Sequence, residues 1–149
     1  MLKPKLQWFG KIKSDTAYEG TNDFFAGTYD GKDPLSVSIQ LWNNRWGKED
    51  CEDLKNFYIT MSFKDFEDNA LLEYCHVTVN GSEVIYPEIA NKIATLPIPN
   101  SIVIKGTKND GTAEKNKSNY LQLDFVFQAP EVHLKENDLK TIVFNIIEE

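Results

Sequence analysis

Three segments of the chain alternate hydrophobic and polar residues, so that every second side chain falls on the same face. They are residues 35–41 (LSVSIQL), 57–63 (FYITMSF) and 121–127 (LQLDFVF). A period of two over this length indicates a β-strand with one buried face. One face against a core and one against water is typical of antiparallel sheets. We therefore expect these three segments to be half-buried antiparallel strands.

Weaker apolar patterns predict further strands between clusters of turn-forming residues. The last of them is apolar on both faces, which predicts a strand that is covered on both sides. Eight or nine short strands with turn-rich connections are typical of an all-β fold. We expect one domain over residues 1–149, an antiparallel β-sandwich of the immunoglobulin-like or jelly-roll-like type. The weaker candidates are residues 5–12, 24–29, 71–79, 84–86, 101–106 and 139–147.

One short segment has helical spacing. Residues 87–94 (PEIANKIA) begin with proline, which suits the first turn of a helix, and they place Ile89 and Ile93 four positions apart. This spacing predicts a short crossover helix between the two sheets. A polar segment follows at residues 105–119 (KGTKNDGTAEKNKSN), and it predicts a long solvent-exposed loop.

The charge of the chain limits its partners. Among 149 residues, 16 are Lys or Arg and 23 are Asp or Glu, which gives a net charge of −7 at pH 7. Such a surface repels phosphate backbones and anionic lipids, so we expect neither nucleic acid nor a membrane as a partner. No apolar run has the length of a signal-peptide core or of a membrane span. We therefore expect no signal peptide and no transmembrane segment, and a location in a virus particle or in the cytoplasm.

Residues for catalysis or metal binding are few. His76 and His133 lack the spacing of a zinc motif, and the two cysteines do not form a Cys-x-x-Cys pair, so we expect free thiols at Cys51 and Cys75. Acidic residues in loops usually face solvent, although two of them at a suitable separation would suit a glycosidase-like enzyme. We expect no enzyme activity, no catalytic residue, no metal and no cofactor. The acidic clusters are residues 49–53 and 65–68.

The densest candidate site is the segment LWNNRWGKEDCEDLKNF, residues 41–57, between two predicted strands. Its two tryptophans can stack on sugar rings, and its amide and guanidinium groups can bond hydroxyls. Tryptophan and arginine are also enriched at protein interfaces. The third interpretation is structural, with a tryptophan capping the core and the arginine paired to an acid. The candidate contact residues are Trp42, Asn44, Arg45 and Trp46, with Trp8 as further apolar surface.

The run SVSIQLWNN…EDLKNFYITMSF, within residues 36–63, joins an alternating strand that ends in asparagines to an acidic approach to a second strand. This run resembles a pattern of immunoglobulin-like and carbohydrate-binding β-sandwiches, which recur in virion proteins of tailed bacteriophages. The resemblance implies a tail, baseplate or capsid accessory component that contacts other protein subunits, including copies of itself. It carries no functional residues over to this chain.

Three functions are consistent with these observations. The first is a non-enzymatic structural or interaction module of a larger protein assembly, with a bacteriophage virion as the assembly. The second is a carbohydrate-binding module that binds a glycan through Trp42 and Trp46. The third is an interaction domain of the cytoplasm. The exposure of the tryptophans is the structural property that distinguishes these three functions.

Overall fold

The computed structural model describes residues 1–10, 16–17, 23–29, 33–63, 74–90, 93–128 and 137–148. Within these ranges the regular secondary structure consists of β-strands and a 3₁₀ helix at Lys117–Asn119. The strands are β1 (Leu6–Gly10), β2 (Thr16–Ala17), β3 (Asp23–Tyr29), β4 (Leu35–Asn43), β5 (Phe57–Phe63), β6 (Cys75–Val79), β7 (Glu83–Ile85), β8 (Glu88–Ala90), β9 (Ile93–Pro97), β10 (Tyr120–Phe127) and β11 (Asn137–Glu148).

The strands form two antiparallel sheets, which confirms the predicted all-β sandwich. One sheet has the order β2-β1-β4-β10-β6-β7 and the other has the order β3-β11-β5-β9-β8. Four antiparallel pairs are nested along the chain: β3 with β11, β4 with β10, β5 with β9, and β6 with β7. Successive pairs alternate between the two sheets, as in a long hairpin rolled up on itself. This is the jelly-roll arrangement, which the strands β1, β2 and β8 extend at the edges.

The core lies between the sheets and is built from the alternating positions. The core-facing residues include Val37, Ile39 and Leu41 of β4, and the register with β10 sets Leu41 opposite Leu121 and Val37 opposite Phe125. Burial of apolar surface in this way is the main favourable term in folding. The opposing side chains come from the second sheet and from the connection that precedes it, and they include Leu54, Phe57, Ile59, Met61, Ala94 and Leu96.

The predicted helix at residues 87–94 is wrong. The segment contains β8 and the start of β9, and β9 pairs with β5 from Ala94 opposite Met61 to Pro97 opposite Tyr58. The four-residue spacing of the isoleucines is real, but Ile93 faces outward, while Ala94 is buried. The free edge of β5 offers backbone hydrogen bonds that an isolated two-turn helix cannot match, because short helices are marginal in water.

One of the weaker strand predictions is also wrong. Residues 101–106 do not form a strand of either sheet, and their only strand-like pairing is a bridge between Ile104 and Leu54. Cys51 and Cys75 are free and buried, as the sequence predicted. Burial raises the pKa of the Cys75 thiol far above its usual range, which keeps it protonated. Four earlier expectations lie outside the described residues: strand positions 11–12 and 71–73, the acidic cluster 65–68, and His133.

Two aspartate substitutions distinguish strand β9 from the helix that the sequence predicts. We expect Ala94→Asp to lower the free energy of unfolding by about 3–5 kcal/mol, because it places an unpaired charge in the core. Ile93→Asp should change it by about 0.5 kcal/mol or less, because that side chain is exposed. Urea unfolding of both variants measures the difference. If the segment were a helix with its isoleucines packed on the core, Ile93→Asp would be the more destabilising of the two variants.

Candidate functional site

The candidate site begins where β4 leaves the sheet. Leu41 faces the core, so Trp42 points to the outer face, where it lies opposite Gln7 of β1 and Tyr120 of β10. Trp42 is nevertheless fully buried, with 0% exposure. Its ring centroid lies 4.6 Å from that of Tyr120 and 6.4 Å from that of Phe9. In addition to the core between the sheets, a cluster of aromatic side chains therefore covers part of the outer face of the six-stranded sheet.

Arg45, the only arginine of the chain, lies inside this cluster. Its guanidinium carbon is 4.3 Å from the ring centroid of Phe9, 4.2 Å from that of Trp42 and 4.5 Å from that of Trp46. Its Nε–H donates a hydrogen bond of 3.0 Å to the carbonyl oxygen of Gly111. A planar cation against aromatic faces is attracted by their quadrupoles, and more strongly where water is excluded. We call Phe9, Trp42, Arg45 and Trp46 the arginine cage.

The backbone after β4 is held in an unusual conformation. Asn44 and Trp46 have φ of 63° and 60°, in the left-handed region that side chains other than glycine seldom adopt. The side-chain amide of Asn44 supports this turn, since its Nδ2 donates to the carbonyl oxygens of Glu49 and Gly106 at 2.7 and 2.8 Å. Left-handed geometry at a tryptophan persists only where the surroundings impose it. Here it directs the Trp46 ring over Arg45.

The polar segment 105–119 packs against the arginine cage and the turn after β4. The side chain of Asn109 donates from Nδ2 to the carbonyl oxygen of Asn44 at 2.8 Å, and its Oδ1 accepts the backbone N–H groups of Trp46 and Gly111 at 3.2 and 2.9 Å. Gly111 has φ of 80°, and a Cβ atom there would collide with the Trp46 indole. The predicted exposed loop is thus docked against the turn after β4, and glycine is required at the point of closest approach.

The five predicted contact residues differ in exposure. Trp8 belongs to the core between the sheets, and Trp42, Asn44 and Arg45 are buried in the cage and the turn that supports it. Only Trp46, with 52% exposure, presents a large surface to solvent. The pair of tryptophans that would sandwich a sugar is therefore not displayed at this surface. The burial of the other four residues is consistent with a structural role, and the contacts found for Arg45 are with aromatic rings and the carbonyl oxygen of Gly111.

The sequence analysis missed four residues that complete this region. Phe9 and Tyr120 flank Trp42 in the sheet, and their placement follows from strand register, which a single sequence does not reveal. Asn109 and Gly111 stood out only as turn formers in the segment 105–119. Their partners lie more than sixty residues earlier in the chain. The one available signal is that Asn-Asp-Gly tolerates left-handed backbone.

Two of the acidic residues at 49–53, Asp50 and Asp53, also bind the docked loop. Asp50 Oδ1 accepts the backbone N–H of Lys108 at 2.9 Å. Asp53 Oδ1 accepts the N–H of Gly106 at 3.0 Å, and its Oδ2 lies 3.3 Å from Nζ of Lys105. The hydrogen bond from Gly106, with Lys105 beside it, lowers the pKa of Asp53 below its ordinary value. These carboxylates therefore act as acceptors that fasten the connection between β9 and β10 to the turn after β4.

Comparison with known protein families, with curated proteins and with solved structures finds no match. In the part of the chain that the structure describes, no group of three or more His, Cys, Asp or Glu side chains could hold a metal ion. Among the same residues, no helix has the length and apolar character needed to cross a bilayer.

Replacing Arg45 tests the arginine cage. We expect Arg45→Lys to lower the free energy of unfolding by about 1–3 kcal/mol, because lysine keeps the charge but loses the planar contact with the rings and the bond to Gly111. The reverse exchange at an exposed position, Lys108→Arg, is the control, and it should alter stability by no more than about 0.5 kcal/mol. Urea unfolding followed by tryptophan fluorescence measures both. Equal stability of the two variants would contradict the cage.

The lowered pKa of Asp53 predicts a pH effect. Its contribution to stability is fully present above the ordinary value of 3.8 and is lost as the pH falls through the lower value of the folded state. The difference in unfolding free energy between the parent protein and Asp53→Asn should therefore be constant near neutral pH and shrink in acid. Urea unfolding at a series of pH values measures it. Glu49→Gln, at an exposed carboxylate on the same turn, controls for general charge effects, and a difference that persists in strong acid would contradict the assignment.

Proposed function

We propose that this chain is a non-enzymatic interaction module that binds another protein subunit through the edge formed by β7 and β8. Because residues 36–63 resemble virion β-sandwiches, we propose a phage particle as the assembly to which it belongs. A second copy of the chain is one form that the partner subunit can take. The observation that carries the proposal is a strongly exposed tyrosine, Tyr86, between two open sheet edges.

β7 and β8 are the last strands of their respective sheets, and only Tyr86 and Pro87 separate them along the chain. No other strand of the described ranges pairs with the outer side of either one. An open edge presents backbone N–H and C=O groups in a row, and a strand from a partner can pair with them. Two such edges at one corner of the sandwich support an attachment site there.

Exposed apolar and aromatic side chains lie on and next to these edge strands. Tyr86 is 73% exposed, Val84 is 49% exposed on the outer face of β7, and Ile93 is 44% exposed on β9. The ring of Tyr86 lies 6.2 Å from that of His76. This contact restricts rotation of the Tyr86 side chain but leaves it exposed to solvent. Tyrosine is enriched among residues that dominate binding energy at protein interfaces. In a chain with a net charge of −7, exposed apolar side chains beside sheet edges favour a protein partner.

Co-expression with the products of the flanking genes tests the proposal. We expect a complex that survives size-exclusion chromatography, or concentration-dependent self-association in sedimentation velocity if the partner is a second copy. Tyr86→Asp and Val84→Asp should each weaken that association at least about tenfold, because a desolvated charge opposes burial of these side chains. Flanking genes that encode head or tail proteins would support the phage assignment.

Ile147→Asp is the matched control, since Ile147 is an exposed apolar residue of β11, away from this corner. It should leave association unchanged. A chain that stays monomeric and binds none of the neighbouring products would overturn the proposal. Association that resists both aspartate variants at the β7–β8 edge would overturn the assignment of the surface.

A further inference from the structure

The outer face of the six-stranded sheet carries a row of hydrogen-bonded side chains that begins at the arginine cage. Nε1 of Trp42 donates to Oε1 of Gln40 at 2.9 Å, and Nε2 of Gln40 donates to Oε1 of Gln122 at 2.9 Å. Nε2 of Gln122 donates to Oδ1 of Asp124 at 3.2 Å, and the Ser38 hydroxyl donates to the same oxygen at 2.7 Å. We call Ser38, Gln40, Gln122 and Asp124 the polar row.

Strand β10 also holds the neighbouring turn, which follows β6. The backbone N–H of Gln122 donates to Oδ1 of Asn80 at 3.0 Å, and the N–H of Asn80 donates to the carbonyl oxygen of Gln122 at 2.9 Å. Asn80 is left-handed, with φ of 51°, and Gly81 follows with φ of 73°. The turn after β6 is therefore held against β10, and its side chains have a defined position relative to the polar row.

A surface pocket of about 440 Å³ lies between this turn and the polar row. Its volume is within the range of about 300–1,000 Å³ that small-molecule sites occupy. One wall is Tyr120, whose ring packs on Trp42 and is thereby held in place. The pocket is lined by Asn80, Gly81, Lys117, Tyr120, Gln122 and Asp124.

Three polar side chains of the pocket have atoms that can form hydrogen bonds with a ligand. Both hydrogen bonds that Asp124 accepts fall on Oδ1, and Asn80 uses its Oδ1 but not its Nδ2 within the described part of the chain. Lys117 is exposed at the rim. The pocket thus combines a carboxylate acceptor, an amide donor and an ammonium donor. Neighbouring hydroxyl groups, each of which donates and accepts, match such a set.

We propose that this pocket binds a neutral carbohydrate. Asp124 accepts from one ring hydroxyl, Asn80 and Lys117 donate to others, and the Tyr120 ring contacts the apolar C–H face of the sugar. The net charge of −7 disfavours acidic sugars and phosphorylated ligands. This site is distinct from the Trp42 and Trp46 pair that the sequence suggested, and it does not depend on the interaction at β7 and β8.

Titration of the ¹⁵N-labelled chain with a panel of neutral hexoses, N-acetylhexosamines and their oligomers tests the site. We expect saturable amide shifts confined to residues 80–81, 117 and 120–124. Asp124→Asn keeps the shape and the Oδ1 acceptor of the polar row, and it should weaken binding at least about tenfold, as removal of a charged hydrogen-bond acceptor does. Glu114→Gln, which neutralises an exposed acid outside the pocket, should leave the affinity unchanged.

Three results would overturn the inference. The first is a panel in which no saccharide shifts these amides. The second is binding that shifts only the surroundings of Trp46. The third is displacement of the saccharide by inorganic phosphate, which would assign an anion site to Lys117. Tyr86→Asp should preserve saccharide binding and Asp124→Asn should preserve subunit binding, so failure of one proposal is distinguishable from failure of the other.

Discussion

The pairing of β4 with β10 is the constraint on which the rest of this structure depends. The two strands pair without interruption from Trp42 opposite Tyr120 to Leu35 opposite Phe127. One face of the pair forms much of the core between the sheets. The other face holds the aromatic cluster at one end and the polar row further along. A shift of one residue would exchange the two faces, and the apolar core residues would then face outward.

Asparagine side chains are responsible for much of the structure outside the sheets. Asn43, Asn44, Asn109 and Asn119 each donate from their amide groups to two backbone carbonyl oxygens. These bonds satisfy peptide groups that would otherwise lack partners away from the sheet ladders. They allow two long connections to pack against each other without forming strands. The arginine cage is then closed by Trp46 and Gly111, one residue from each connection.

The two proposed surfaces are separated by their chemistry. The corner at β7 and β8 carries exposed Val84 and Tyr86, and among the described strands none pairs with its outer edges, which suits an extended protein segment. The pocket beside Tyr120 is concave and its polar groups are held by the polar row, which suits a small polar ligand. Both surfaces border the six-stranded sheet, the corner through β7 and the pocket through β10. The aromatic cluster contributes rigidity to the pocket through the contact between Trp42 and Tyr120.

The sequence by itself determined the class of fold and the faces of its main strands, because alternation along a strand is a local property. It also predicted that Trp42 lies on the outer face and that both cysteines are free thiols. It failed at residues 87–94, where the free edge of β5 outweighed the spacing of Ile89 and Ile93. Burial of Trp42 and Arg45 was decided only in the tertiary structure, since the rings and carbonyl groups that enclose them come from β1, β10 and residues 106–111. Contacts between segments this distant depend on strand order and register, which no local pattern encodes.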